Sequence, residues 1–273
     1  MTTVSNQKVK AFWESNPVAA EGIEAAPGTP DFFRNFDAIR EADDCEPWAF
    51  SDEIHGYSSS KDLRVLDVGC GNGYVLAQYA KYGANVSGVD LTQTALDLSQ
   101  KRFALAGLQG DFRLTDGNAL PFDDAVFDIA CSMGVLHHIA DPRPMIAEMR
   151  RVLKPGGRLI LMLYYWGSWK YHVVFRVKRL LDSRYRGLSQ QQALNMNDGA
   201  ECPLARVYTR AEVKGLLDGF SDLHFELNQL SWKQLLLVPG LDRLLKPILP
   251  RASRNIFART MGWNLYITAT KPK

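Results

Sequence analysis

The run Val65-Leu66-Asp67-Val68-Gly69-Cys70-Gly71-Asn72-Gly73-Tyr74 constrains this chain more than any other stretch of it. A short apolar segment, 63–68, ends in three glycines at alternate positions, and a helix-period segment, 74–82, follows. Glycines at 69, 71 and 73 let a backbone turn sharply off a strand and approach a ligand where any Cβ would collide. The helix that follows points its N-terminal N–H groups, and the positive end of its dipole, at the same place. The spacing is GxGxG with an acid two residues before the first glycine, which differs from the GxGxxG of pyrophosphate-binding dehydrogenases. A tight strand–helix turn with no ligand is the plainer reading of the glycines alone.

Downstream of this turn, apolar strand-like runs alternate with helix-period segments. Strands are expected at 85–89, 112–115, 127–132 and 158–163, with helices at 93–106 and 144–153. Parallel neighbours need a crossover, and a helix is the usual one, so the alternation predicts a parallel sheet covered on both faces. With right-handed crossovers the result is a doubly wound, Rossmann-like α/β sheet. Further strands are expected at 223–230 and 264–270, and helical patches at 7–13, 31–41 and across 168–220, the last broken by a loop at 195–203. No internal repeat or low-complexity tract breaks the pattern.

The 273 residues suit one large domain with additions, and 46% hydrophobic against 23% charged residues excludes a disordered chain. Four scattered cysteines, Cys45, Cys70, Cys131 and Cys202, form no CxxC pair, so neither a disulfide framework nor a metal site is expected. The first residues hold no long apolar core of a secretory signal, and the longest apolar run, 159–166, is too short to cross a bilayer. A soluble, cytoplasmic protein is expected.

Two more acids stand where strands of such a sheet end. Asp90 follows the strand at 85–89, and a carboxylate there can accept hydrogen bonds from both hydroxyls of a ribose. Its plainer role is to cap the next helix, a role for which Thr92 is better placed. Asp116, in Thr115-Asp116-Gly117-Asn118-Ala119, closes the next strand and can accept from an exocyclic amine, although alone it reads as a turn residue before Gly117. Together the three sites outline a nucleoside pocket at the C-terminal ends of adjacent parallel strands.

These motifs make the sequence resemble the class I S-adenosylmethionine-dependent methyltransferases, in the broad group that includes the ubiquinone and menaquinone methyltransferases. The resemblance covers about residues 62–165 and rests on VLDVGCGNGY, GVDLT, TDGNALPFDDAVFDIACSMGVLHHIADP and VLKPGGRLIL. It implies that Asp67, Gly69, Gly71 and Gly73 line the methionine and adenosine part of the cofactor, and that Asp90, with Leu91, holds the ribose. Asp116, Gly117, Asn118 and Ala119 would frame the adenine, and Met133 would complete the cofactor contacts. The implied fold is the Rossmann-like, mostly parallel sheet with a terminal antiparallel strand. An N-terminal helical cap over 1–60 would act as a lid on a core at 61–273, with substrate-side helical insertions at about 168–220 and 232–260.

Methyl transfer is an in-line displacement, so a protein chiefly orients donor and acceptor and excludes water. A base is needed where the acceptor must lose a proton, and His137 and His138, in Gly134-Val135-Leu136-His137-His138-Ile139, are the candidates. In related small-molecule methyltransferases a histidine of a similar pair lies near the methyl group. Adjacent residues point about 100° apart on a helix or turn, so one of the two is expected to face the cofactor while the other shapes the loop. His55, His172 and His224 have no motif around them. Cys131-Ser132-Met133 stands where an Asn-Pro-Pro-Tyr tetrad would mark adenine-N6 methylation, and no paired cysteines mark cytosine C5 attack.

Charge is uneven. Residues 1–169 hold 15 Lys and Arg against 22 Asp and Glu, while 170–273 hold 17 against 8. Three readings of the basic third stand side by side: a solvated helical face, a site for an anionic or lipid-like acceptor, and peripheral contact with anionic lipid. An anionic acceptor would bring at least two of Arg176, Lys178, Arg179, Lys233, Arg243 and Lys246 to the cleft. Nucleic acid is disfavoured because no stacking platform accompanies the cations. The expectation is therefore methyl transfer to a small aromatic, isoprenoid or lipid-like metabolite, with oxygen favoured over carbon or nitrogen. An RNA or protein methyltransferase, and a cofactor-binding interaction module without transfer activity, are the alternatives.

Overall fold

A computed structural model describes residues 5–17, 22–42, 51–237, 245 and 256–273. Three short helices come first, α1 (Asn6–Ser15), α2 (Pro30–Glu41) and α3 (Asp52–His55). Then β1 (Arg64–Val68), α4 (Tyr74–Lys81), β2 (Asn85–Asp90), α5 (Gln93–Ala106), β3 (Asp111–Leu114), β4 (Phe127–Met133), α6 (Arg143–Val152) and β5 (Leu153–Tyr164) alternate as the sequence predicts. Beyond them lie α7 (Phe175–Leu181), α8 (Gln190–Asn195), α9 (Arg210–Leu216), β6 (Ser221–Asn228), α10 (Trp232–Leu236), α11 (Ile256–Met261) and β7 (Asn264–Thr270).

The seven strands form one sheet in the order β3-β2-β1-β4-β5-β7-β6. The first five are mutually parallel, with Val65 opposite Val86 on one side and Ile129 on the other. β7 runs antiparallel to both β5 and β6, so the chain's last strand is wedged inside the sheet with its edge covered on both sides. Because β1 is flanked by strands and covered on both faces, all its residues except Arg64 are buried, which is why it reads as an unbroken apolar run. Alternate residues feed opposite cores: Val65, Ile129 and Ile160 face Leu76, Tyr79 and Phe103, while Leu66, Phe127 and Leu159 face Met145, Met149 and Val152 of α6.

Two boundaries differ from expectation for local reasons. Residues 153–157, expected as a helix end and a loop, belong to β5: Leu153 pairs with Phe127 and Arg158 with Ile129, so the intervening residues bulge. The region 168–220 is not continuous helix but a π-turn at Lys170–Val174 leading into α7, then α8 and α9. Ser189 with Gln192, and Thr209 with Glu212, each form a capping box that starts α8 and α9. Cys45, Arg243, Leu244 and Lys246 lie outside the described residues. Among the described residues no helix is long and apolar enough to cross a membrane.

The N-terminal helices are fastened to α5. Glu14, at the end of α1, accepts hydrogen bonds from the backbone N–H of Gln93 (3.1 Å) and Thr94 (2.9 Å) and from the Thr94 hydroxyl (2.6 Å). It therefore caps the first turn of α5 from another helix, where a negative charge is favoured. Those bonds hold the Glu14 carboxyl below its ordinary pKa. The cap is therefore present above the usual glutamate range and lost as pH falls through the lowered value. Glu14→Ala is expected to loosen α1, speeding hydrogen exchange of its amides by about 5–30-fold for a cap worth ~1–2 kcal/mol. Unchanged exchange in α1 at neutral pH would contradict the cap.

Candidate active site

The parallel strands bring the ends of β1, β2, β3 and β4 to one edge, and a cavity of about 440 Å³ opens there, within the range of small-ligand sites. The turn from β1 to α4 forms its floor. Gly69, Gly71 and Gly73 have φ of 81°, 56° and 75°, the left-handed region that side chains resist. A Cβ on Gly69 would run into Val135, and one on Gly73 would stand 3.0 Å from the Ser99 hydroxyl.

Asp90 shapes this turn as well as facing the cavity. One of its carboxylate oxygens accepts from the Gly71 N–H at 3.1 Å. The other accepts from the Thr92 N–H (3.0 Å) and hydroxyl (2.9 Å), while the Thr92 oxygen itself caps α5. Burial raises the Asp90 pKa, and these hydrogen bonds oppose the rise. From the other side, the Arg102 guanidinium donates to the Asn72 carbonyl at 2.8 Å and pairs with Asp37 of α2 at 2.7 Å.

Asp67 is the most unusual group. It is buried at the cavity wall, and its Oδ1 has no hydrogen-bond partner. Desolvation, reinforced by the nearby Asp90 charge and opposed by Cys131, pushes its pKa up to about 7. A buried carboxylate with an orphaned oxygen is a place for a cation or an N–H donor.

The cavity's far end is aromatic. Trp13 of α1, Tyr164 at the end of β5 and Trp263 before β7 line it, joined by His138, Lys170, Asn197 and Asp198. Trp13 packs edge-on against His138 at 5.0 Å between ring centres, and Tyr164 lies at a 32° tilt against Trp263 at 4.3 Å. The Tyr164 hydroxyl donates to Asp198 at 2.6 Å. His138, Asp198 and Cys202 each offer a ligand atom within 4.8 Å of the others, a grouping that sequence reading did not foresee.

The histidine pair is divided. His138 lines the cavity, and its Nδ1–H donates to the Leu204 carbonyl at 2.7 Å, which leaves Nε2 as its accepting nitrogen. His137 lies behind it, fully buried and stacked on Tyr164 with ring centres 3.7 Å apart, and neither of its ring nitrogens has a partner. Burial pushes both pKa values down, that of His137 the further, so both rings are neutral near pH 7.

Of the residues expected to bind a cofactor, Asp67, Gly69, Gly71, Asp90, Leu91, Gly117 and Met133 line the cavity. Gly73 lies behind the turn, and Asp116, Asn118 and Ala119 are exposed and outside the lining. Asp116 instead closes its own turn, accepting from the Asn118 N–H at 2.9 Å. Arg176, Lys178, Arg179 and Lys233 also lie outside the lining; its cations among the described residues are Arg40 and Lys170. Trp13, Tyr164, Trp263 and Asp198 were missed because their segments carry no local motif, and only the sheet's edge gathers them.

Asp67 makes a prediction about stability. Its folded pKa lies above the ordinary carboxyl value of 3.8, so the native state holds a proton that the unfolded chain releases. Stability is then lost as pH rises from about 4 to 7, by at most about 4 kcal/mol at ~1.4 kcal/mol per unit. Asp67→Asn is expected to melt higher than the parent at pH 8 and to converge with it at pH 4. A melting difference independent of pH would contradict the buried, protonatable carboxyl.

Comparison with known proteins agrees with this geometry. Residues 66–161 match the family described as methyltransferase domain. The ubiquinone biosynthesis O-methyltransferase of Bartonella tribocorum is 34% identical over 115 residues, 41% of this chain and 47% of that protein. The chain thus spans about half the length of the curated relatives it matches. A SAM-dependent methyltransferase from Methanosarcina mazei superposes with a TM-score of 0.56 at 25% identity, covering 81% of this chain and 98% of that one. The [4+2]-cyclase SpnF superposes with a TM-score of 0.57 over 100% of this chain and 98% of its own, and its 20% identity speaks for the fold alone. Residues 66–161 are thus similar to a methyltransferase domain, on a fold that the chain shares with a SAM-dependent methyltransferase.

Proposed function

We propose that this protein transfers a methyl group from S-adenosylmethionine to a small metabolite of aromatic, isoprenoid or lipid-like character, with oxygen as the accepting atom. The observation that carries the reading is the shape of the cavity: a glycine turn with two carboxylates, buried Asp67 and half-buried Asp90, at one end, and an aromatic chamber at the other. The residues suit the cofactor. Asp67, with its orphaned oxygen, would take the ammonium of the amino-acid arm. Asp90 has accepting capacity left for ribose hydroxyls, and Leu91, Gly117 and Met133 would border the nucleoside. Gly73, Asp116, Asn118 and Ala119 would shape the turns around it.

When bound, the cofactor supplies an electrophilic methyl group on a sulfonium. The chain's part is to align the acceptor, exclude water and receive a proton where the acceptor carries one. His138, which lines the cavity, would serve for this through Nε2, while His137 supports the ring of Tyr164 from behind. Residues 1–60 would act as a helical cap, since Trp13 of α1 roofs the chamber, on a core formed by 61–273. Lys170 and Arg40 favour an acceptor with anionic character. The free, buried Cys70, Cys131 and Cys202 favour a reducing compartment such as the cytoplasm.

Asp90→Ala is expected to weaken S-adenosylhomocysteine binding by ~1.5–3 kcal/mol per lost charge-assisted bond, read by calorimetry. An unchanged affinity in the folded variant would remove Asp90 from the pocket. His138→Ala is expected to lower turnover by roughly 10²–10⁴-fold with little change in cofactor affinity. Full activity in His138→Ala would leave orientation and desolvation as the whole of catalysis.

A further inference from the structure

One wall of the aromatic chamber holds a carboxylate oxygen without a hydrogen-bond partner among the described residues. Asp198 Oδ2 is shut off from solvent and has no hydrogen-bond partner, while Oδ1 accepts from Tyr164 at 2.6 Å and from the Asn197 amide at 3.3 Å. Leaving a carboxylate oxygen buried and unpaired costs ~1–3 kcal/mol or more, so such an atom in a cavity wall marks where a ligand's donor belongs. We infer that Asp198, held in place by Tyr164, is the anchor for a hydroxyl group on a flat acceptor bound between Trp13, Tyr164 and Trp263.

The surroundings select the class of donor. The walls are ring faces and edges, which favour a planar apolar body. An ammonium would also suit a carboxylate among aromatic rings. However, the Lys170 ammonium already stands 4.8 Å from the centre of the Trp263 ring and lines the same cavity, so a second cation would be repelled. A neutral hydroxyl donates to Asp198 without that repulsion. The other titratable groups beside Asp198 are His138, Tyr164 and Cys202, and all three are neutral near pH 7. Burial and the Asp198 charge hold the Tyr164 and Cys202 protons on, the latter with a pKa of about 12. Asp198 is the carboxylate side chain beside these groups and the strongest acceptor among them.

This inference rests on the acceptor-side reading of the chamber and can be tested apart from methyl transfer. The probe is 4-nitrophenol, whose ionisation is visible in its absorbance, added to the full chain with and without S-adenosylhomocysteine. If its hydroxyl donates to Asp198, the bound phenol stays protonated to higher pH than in water, because its phenolate would face a carboxylate. Asp198→Asn keeps the side chain's shape and its bond from Tyr164. It is expected to lower the bound phenol's pKa by about one unit or more and to weaken phenol binding at pH 6 by roughly tenfold. Tyr164→Phe, which keeps the ring, is expected to weaken phenol binding by a smaller factor.

A bound phenol whose ionisation is the same in parent and Asp198→Asn would overturn the inference, as would absence of phenol binding in the parent. Zinc that displaces the phenol from the parent, and fails to bind in both Asp198→Asn and Cys202→Ser, would assign Asp198 to a metal instead and also overturn it. Cofactor binding, measured separately, tells the two claims apart. Asp198→Asn is expected to bind S-adenosylhomocysteine within twofold of the parent. A parent that binds the phenol through Asp198 but not S-adenosylhomocysteine would refute the methyltransferase reading and leave the hydroxyl anchor standing.

Discussion

Between β1 and α4 the backbone passes through a space with no room for side chains, and the rest of the site is arranged around that passage. Val135 occupies the place of a Cβ on Gly69, and Ser99 crowds that of Gly73. The Gly71 N–H is held by Asp90 from the end of β2, and the Gly71 carbonyl by the Ser99 hydroxyl at 2.9 Å. Arg102 then fixes the next carbonyl, that of Asn72, while its other arm reaches Asp37 in α2. A single turn is thus pinned by a strand end, by the helix that follows that strand and, through Arg102, by the N-terminal segment. The concavity exists because all of these agree on one path for five residues.

That arrangement is not optimised for stability. Asp67 and Asp90 are two carboxylates at adjacent strand ends, and burial raises the pKa of both. Hydrogen bonds from Thr92 and Gly71 relieve Asp90, whereas Asp67 keeps an orphaned oxygen. Asp198 repeats the pattern at the other end of the cavity. Buried acceptors left unpaired beside a cavity are a cost that folding alone gives no reason to keep, and a ligand with donors at matching places would remove it. The two ends differ in kind: the glycine end offers charge and backbone, and the far end offers ring surface with one carboxylate and one ammonium.

The shape of the glycine end was legible in the sequence because contiguous residues set it. Gly69, Gly71 and Gly73 need positive φ, and Asp67 and Asp90 sit at fixed offsets from them, so the local pattern specifies the turn and the two carboxylates beside it. The alternation of strands and helices was legible for the same reason, down to the bounds of α5 and β7. Asp116 was ambiguous because the same residue type serves a turn and a ligand equally well; here its carboxylate accepts from the Asn118 N–H and lies outside the cavity lining. The aromatic end was hidden because Trp13, Tyr164, Asp198 and Trp263 come from four distant segments. The position of β7 inside the sheet, beside β5, is what brings Trp263 to Tyr164, and nothing in the periodicity of 264–270 specifies that partner. The basic third was read as one feature, yet of its described cations Lys170 alone lines the cavity.

If the glycine end holds S-adenosylmethionine, Asp67 would take its ammonium group. Calorimetric titration of the parent chain with S-adenosylhomocysteine and, separately, with 5′-methylthioadenosine tests it most directly, because the second ligand keeps the nucleoside and lacks the amino-acid arm. The account predicts that S-adenosylhomocysteine binds at least about tenfold more tightly, the advantage of a charge-assisted contact with a buried carboxylate, and that the advantage shrinks as pH falls below 7 and Asp67 takes up its proton. Equal affinities at pH 8, or no binding of either ligand, would contradict it.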